Sequence, residues 1–340
     1  MSILLVATGG TIASRPGPDG AVTTALSGDE VVATVTDIGV DDVEVVDVAS
    51  VSSWNVEPDK RAEVAVMCRR ALADGRADAV IVTHGTDTVE ETAWLTELLA
   101  GRATARGPVV FTAAMRNAAA LAADGPANLR DTILVARAPT ARDRGVLLCA
   151  NGEVHHARWV TKSDAHALDT FESPGAAPVG RVVAERVAFT LPSPPPPPPP
   201  PEVDHVEHHV ALLPSYAGLD TDIVDVFVAR GARGIVVEGT GAGNVYGGLM
   251  PGIERAIAAG IPVVVTTRCR TGAVAPIYGG DGGGARLAET GVILGGDLSA
   301  IKARLALMVA LAGGSSMEAV RAWFAELVEP VAPAGRLDRI

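Results

Sequence analysis

At 340 residues the chain is roughly twice the usual domain size of about 100 to 200 residues, so two cores are expected. With 48% hydrophobic and 20% charged residues it is not a disordered chain. A net charge of −12, with no run of Lys and Arg to offset it, argues against a nucleic-acid partner.

Residues 1–7 lack a basic leader and are too short an apolar stretch for a secretory signal; they read instead as a first strand. No uninterrupted apolar stretch approaches the roughly 20 residues that span a bilayer, so no membrane partner and a cytoplasmic location are expected. Short Val/Ile/Leu runs then alternate with amphipathic stretches: Ile3 to Ala7, Val43 to Val48, Ala79 to Thr83, Val109 to Thr112 and Val146 to Cys149. Runs of this length between helical patterns predict a parallel sheet covered on both faces. Ser27 with Glu30 spells a capping box, Pro58 suits a first helical turn, and the helix from Val89 to Ala100 stops before Gly101.

Eight consecutive prolines, Pro194 to Pro201, break the pattern. They cannot donate backbone hydrogen bonds, so an extended spacer of roughly 3 Å per residue is expected. The predicted organisation is an N-terminal domain over 1–190, a linker over 191–207 and a smaller C-terminal domain over 208–340. In the latter, runs at Val210 to Leu213, Gly234 to Val237 and Ile261 to Thr266 alternate with helices beginning near Asp220 and Leu249. Two further helices, near Ser299 to Leu311 and Ser315 to Leu327, complete it. The fold class is therefore α/β with two domains.

Cys68, Cys149 and Cys269 are odd in number and widely spaced, which fits a reducing compartment and small buried hydrophobes. His205, His208 and His209 follow the proline tract without a carboxylate-rich partner motif, so they read as linker or strand entry; no metal and no cofactor is expected.

Ligands of open parallel sheets sit beyond the carboxyl ends of the strands. There the sequence has Thr8-Gly9-Gly10-Thr11-Ile12-Ala13 after the first strand and Thr83-His84-Gly85-Thr86-Asp87-Thr88 after the third. The glycines permit tight turns and close backbone approach, and the threonines supply hydroxyl nucleophiles and hydrogen bonds. Neither GxGxxG nor GxxxxGK[ST] occurs, so the reading of the loops as phosphate cradles is weak.

These strings resemble the two signatures of the bacterial-type L-asparaginase and glutaminase-asparaginase family. The first would arise by chance on the order of once in 10⁵ chains of this length. Glu90 and Glu91, Ala114-Met115-Arg116, Asp124-Gly125-Pro126 with Asn128, Val160-Thr161-Lys162 and Gly243-Asn244-Val245-Tyr246 extend the likeness in the family's order. The resemblance implies a larger N-terminal and a smaller C-terminal α/β domain. It also implies a homo-oligomer, dimer or tetramer, whose site is completed by a neighbouring subunit, and L-asparagine as the small-molecule substrate. It assigns Thr11 as the nucleophile that forms an acyl-enzyme, with Thr86, Asp87 and Lys162 assisting proton transfer. It assigns Ser53, Gly10, Gly85, Ala114 and Asn244 to substrate binding, and Tyr278 falls where a cross-subunit contact is expected.

Amide hydrolysis needs an activated nucleophile, donors for the oxyanion and an acid for the leaving ammonia. A Lys beside an Asp and a Thr can relay protons, because desolvation eases loss of the ammonium proton. Three positions depart from the family pattern. The stretch from Arg15 to Leu26 lacks the loop Tyr, Trp54 stands where a Gln is common, and Thr271 to Gly284 has Tyr278 but no Glu. The Gly-rich part of that last stretch, Gly279 to Gly284, is expected to be a mobile loop. Broad glutaminase-asparaginase activity and a non-catalytic amino-acid receptor are the rival readings. A tRNA-dependent amidotransferase role is opposed by the acidic charge.

Overall fold

The computed structural model describes residues 1–198 and 203–328. The end of the proline tract with Glu202, and the last twelve residues of the expected C-terminal domain, lie outside the described residues. The chain divides into two compact units, Met1–Pro199 and Pro200–Ile340.

In the first unit the chain runs β1 (Ile3–Gly9), β2 (Ser14–Pro16), β3 (Val22–Thr24), α1 (Gly28–Val32), β4 (Val43–Val51), α2 (Pro58–Ala73), β5 (Ala79–Thr83), α3 (Val89–Ala100), β6 (Val109–Thr112), α4 (Gly125–Arg137) and β7 (Val146–Ala150). Five strands pair in parallel in the order β4-β1-β5-β6-β7. Their alternating side chains feed two cores. Leu5, Ala7 and Ile81 pack with Val31, Leu129 and Ile133 of α1 and α4, whereas Leu4, Val6 and Val82 pack with Val64, Cys68, Val89 and Ala93 of α2 and α3. Both faces are covered, and both faces of each central strand are apolar for that reason.

The sheet also has an antiparallel flank that the continuous-run signal does not reveal. After β8 (Glu153–His156) come the short pair β9 (Thr161–Lys162) and β10 (Phe171–Glu172), then β11 (Gly180–Val183) and β12 (Arg186–Phe189). Strands β8, β11 and β12 extend the sheet beyond β7 in antiparallel pairing. They are short and carry charges, as suits a partly solvated edge. The stretch after the first motif is ordered as a β2–β3 hairpin, with Arg15 opposite Thr23.

The local helix signals operate as written. Ser27 accepts from Glu30 N while the Glu30 side chain accepts from Ser27 N, Pro58 opens α2, and α3 ends at Gly101.

The second unit is a parallel sheet, β13 (Val210–Pro214), β14 (Gly234–Gly239), β15 (Val263–Thr267) and β16 (Ile293–Leu294), in that spatial order. His209 leads directly into β13, its carbonyl accepting from Arg233 N at 2.7 Å. Helices α5 (Ile223–Ala229), α6 (Met250–Ala258) and α7 (Gly284–Thr290) follow their strands, and α6 contributes Ile253 and Ala256 to a core with Val237 and Val265. Helix α8 (Ala300–Ala312) is buried along most of its length, and α9 (Met317–Val328) ends the described chain. Helix α5 begins three residues later than expected because the Asp220 side chain instead caps a turn, accepting from Asp222 N.

Two cysteines match the expectation: Cys68 and Cys149 are fully buried, and burial pushes both thiols up to about 12. Cys269 does not. It is exposed, because it lies past the end of β15 in the turn where Cys269 N donates to Thr267 Oγ1.

Candidate active site

The strand order makes a crevice before any side chain is considered. From β1 the chain crosses to β4 on one side, then returns to β5 on the other, so the connections leave the ends of β1 and β5 in opposite directions. That switch point is where open α/β sheets bind ligands. The Gly10–Thr11 turn follows β1, and the His84–Thr88 loop follows β5.

At this point the two loops touch backbone to backbone. A Cβ placed on Gly10 would lie 2.4 Å from both N and Cα of Gly85, and Gly10 itself has φ of +83°. Only glycine fits that space and that conformation. The chain then makes one 3₁₀ turn, Thr11–Ala13, held by Ala13 N and Ser14 Oγ donating to the Gly10 carbonyl at 3.0 and 2.7 Å.

Ser53 opens a second 3₁₀ turn, Ser53–Asn55, just beyond β4. It is buried, and a Cβ on Gly85 would meet its Cβ and Oγ at 2.8 Å. Its carbonyl accepts from Thr88 Oγ1 at 2.7 Å and from Val56 N at 3.1 Å. Gly10, Gly85 and Ser53 thus form one contiguous floor. Trp54, next in sequence, points outward and is 66% exposed.

Thr86 is buried and Asp87 exposed, and Lys162 joins them: its Nζ donates to Thr86 Oγ1 at 2.9 Å and to Asp87 Oδ1 at 2.6 Å. Residues 75 or more apart in sequence meet because β9 carries Lys162 back to the strand ends. Its backbone is fixed as well, Lys162 N donating to Glu90 Oε2 at 2.5 Å in the first turn of α3. A hydroxyl, an ammonium and a carboxylate in one chain of hydrogen bonds can pass a proton along it.

His84 sits fully buried beneath this loop. Its Nδ1 donates to the Gly85 carbonyl at 2.9 Å, which leaves Nε2 to accept from Thr92 Oγ1, also at 2.9 Å. Burial, with the charge of Arg61 adding to it, holds the imidazole down at about 4, so it is neutral at ordinary pH.

Ala114, buried beyond β6, borders the same crevice: a Cβ on Gly125 would lie 3.4 Å from Ala114 Cβ and 2.9 Å from Ile12 Cγ1. The surrounding backbone is tied to α4. Asp124 accepts from Met115 N and Arg116 N at 2.9 and 2.8 Å, and Asn128 Nδ2 donates to the Ala113 carbonyl at 2.9 Å.

Thr11, Gly10, Ser53, Gly85, Thr86, Asp87, Lys162 and Ala114 are therefore all residues of the first unit at its strand ends. Asn244 and Tyr278 belong to the second. Asn244 closes a turn after β14 by exchanging backbone bonds with Thr240, and its Oδ1 accepts from Gly284 N at 3.2 Å. Tyr278 is 57% exposed in the loop before α7. That loop runs to Gly283, and Gly284 already belongs to the helix.

His84, Arg61 and Asp124 carry no individual signal in the sequence, although His84 and Asp124 fall inside the motifs. Their significance lies in which backbone groups they hold, which is a tertiary fact.

Two family models divide the chain between them: asparaginase, N-terminal, over residues 2–194, and the glutaminase/asparaginase C-terminal domain over residues 209–324. The chain belongs to the asparaginase family. It is 38% identical to the "Probable L-asparaginase" of Deinococcus radiodurans over 95% of this chain and 97% of that one. It is also 32% identical to the "L-asparaginase 2" of Bacillus subtilis, over 96% of this chain and 86% of that one. A glutamyl-tRNA(Gln) amidotransferase component from Metallosphaera sedula is 31% identical over 99% of this chain and 78% of its own. Among solved structures, that of a "Probable Cytoplasmic L-asparaginase" from Campylobacter jejuni superposes with a TM-score of 0.83 at 28% identity, covering 96% of this chain and all of that one.

Proposed function

We propose that this chain is a cytoplasmic L-asparaginase that hydrolyses L-asparagine to L-aspartate and ammonia through an acyl-enzyme on Thr11. The observation that carries the reading is the bonding of Lys162 to both Thr86 and Asp87 beside the Gly10–Gly85 contact. Thr11 Oγ attacks the side-chain amide carbon, and its proton passes to the departing nitrogen. Backbone N–H groups of the glycine turns stabilise the oxyanion. Water then attacks the ester, releasing aspartate, with the Thr86–Lys162–Asp87 chain moving the proton. Ser53 meets the substrate α-carboxylate, and the exposed carboxyl of Asp87 meets the α-ammonium. Asn244 and Tyr278 complete the site from a neighbouring copy in a dimer or tetramer.

The likeness to the amidotransferase component is set against a net charge of −12, which repels a tRNA backbone. Glutamine differs from asparagine by one methylene, a difference a pocket discriminates by about 1 to 3 kcal/mol.

The test is ammonia release from L-asparagine and L-glutamine by the parent, Thr11→Ala and Lys162→Met proteins. Asparagine turnover in the parent should fall by roughly 10³-fold or more in both variants. Equal kcat/KM for both amides would replace the strict asparaginase with a broad one. Binding of aspartate without turnover would make the protein a receptor.

A further inference from the structure

Arg61, in the first turns of α2, is 8% exposed although it is not one of the residues that the motifs mark. Buried arginines are rare unless both charge and donors are matched. Here its Nε donates to the Val56 carbonyl at 2.9 Å and its Nη1 pairs with Glu91. Each partner leads to the floor of the site. Val56 closes the turn that Ser53 opens, Val56 N donating to the Ser53 carbonyl. Glu91 stands in the first turn of α3, three residues after Thr88, whose hydroxyl donates to that same carbonyl. The bonds form a closed circuit: Arg61 to Val56, to Ser53, to Thr88, through the start of α3 to Glu91, and back to Arg61.

We propose that Arg61 is a positioning residue for substrate binding, clamping the Ser53 turn against the Gly85–Thr88 loop. The inference rests on the asparaginase reading and names what keeps its carboxylate-binding serine in place. The circuit touches Ser53 and the Thr88 end of its loop but makes no bond to Thr11 or Lys162. Loosening it therefore weakens binding of the substrate and of its dicarboxylate product while the chemical step proceeds. Glu91 alone would accept a Lys. The simultaneous bond to Val56 needs the planar, forked guanidinium, so Arg61→Lys is not a conservative change here.

The experiment uses the full chain with Arg61→Lys, Arg61→Met, Glu91→Gln and the double change Arg61→Met with Glu91→Gln. It measures kcat and KM for L-asparagine, Ki for L-aspartate, and the thermal midpoint. Arg61→Met should raise KM and Ki together by about tenfold with kcat within about twofold. Arg61→Lys should restore the midpoint more fully than it restores KM. The double variant should bind no worse than Arg61→Met, because both changes open the same circuit.

If Arg61→Met keeps KM and Ki within about twofold of the parent, whatever its midpoint, the residue is merely structural and the proposal is overturned. A fall in kcat at unchanged KM overturns it too. Should Arg61→Met not fold, Arg61→Lys and Glu91→Gln decide by the same two constants. A parent that neither releases ammonia nor binds aspartate overturns the asparaginase reading, and the inference with it. An active parent with insensitive Arg61 variants overturns the inference alone.

Discussion

A side chain at position 10 would have to share space with the backbone of Gly85. Gly10→Ala adds a Cβ 2.4 Å from two backbone atoms at a φ of +83°, and neither atom belongs to a flexible side chain that could turn away. The variant should lose about 1 to 3 kcal/mol of stability and most of its asparagine turnover, read by urea unfolding and ammonia release. Glu97 is a second residue with a defined cost. It is fully buried beneath the start of β7, where Val146 N donates to its Oε2 at 2.5 Å, and burial pushes its carboxyl up to about 7. The folded state therefore holds this proton more tightly than the unfolded chain, whose value is near 4.5. Its effect on stability is most favourable below pH 4.5 and is lost as pH rises through 7, by on the order of 3 kcal/mol. His84 has the opposite sign, since its folded value is depressed: stability is complete above about 6.5 and lost as pH falls toward 4. Glu97→Gln should flatten the decline between about pH 4.5 and pH 7, measured by urea unfolding at each pH; an unchanged slope would show that Glu97 does not set it.

At the scale of elements, α4 connects the site to the body of the sheet. Asn128 near its start donates to the Ala113 carbonyl and accepts from Asn151 N at 2.9 Å, so one amide links the ends of β6 and β7. Removing it takes the donor from the Ala113 carbonyl at a buried position and the acceptor from Asn151 N at a part-buried one. Asn128→Ala should cost about 1 to 3 kcal/mol, seen as a lower urea midpoint, whereas Asn128→Asp keeps the acceptor for Asn151 and loses the donor to Ala113. The β2–β3 hairpin shows the contrary case, an element without apolar alternation to announce it. Ser14, Arg15 and Pro16 face Thr24, Thr23 and Val22, and the strand pairing is set by the turn from Gly17 to Ala21, where Gly17 N donates to the Ala21 carbonyl at 2.8 Å.

At the scale of the whole molecule, each of the two units has its own sheet and its own buried apolar residues. The second unit presents Tyr216, Tyr246 and Tyr278 to solvent, in the segments after β13 and β14 and before α7. These are exposed aromatic rings of the kind that a homo-oligomer covers. Sedimentation equilibrium of the full chain should therefore give a dimer or tetramer, and dilution below its dissociation constant should remove activity if Asn244 and Tyr278 act in a neighbouring copy. A monomer of full activity would place the whole reaction within one chain. Treatment with a chelator should leave asparagine turnover unchanged, since the chemistry proposed needs only hydroxyl, ammonium and carboxylate groups; a loss restored by a divalent cation would refute that.

What the sequence determined by itself is whatever depends on neighbours along the chain. Short apolar runs announced β1, β5, β6 and β7, because strands buried on both faces have no polar side to alternate with. Ser27, Pro58 and Gly101 announced helix ends, since caps are satisfied within one turn. The motif residues were legible as residue types: glycines for close approach, threonines for nucleophilic oxygen, a lysine for the relay. Tertiary structure alone decided the rest. The strand order β4-β1-β5 brought Ser53, Thr11 and Thr86 to one crevice, and β9 carried Lys162 to Thr86 across 76 positions. The antiparallel flank of β8, β11 and β12, the exposure of Cys269 and the Arg61 circuit were not legible. Each depends on which distant backbone groups need a hydrogen-bond partner or a cover from water, and that is settled only when the chain has folded.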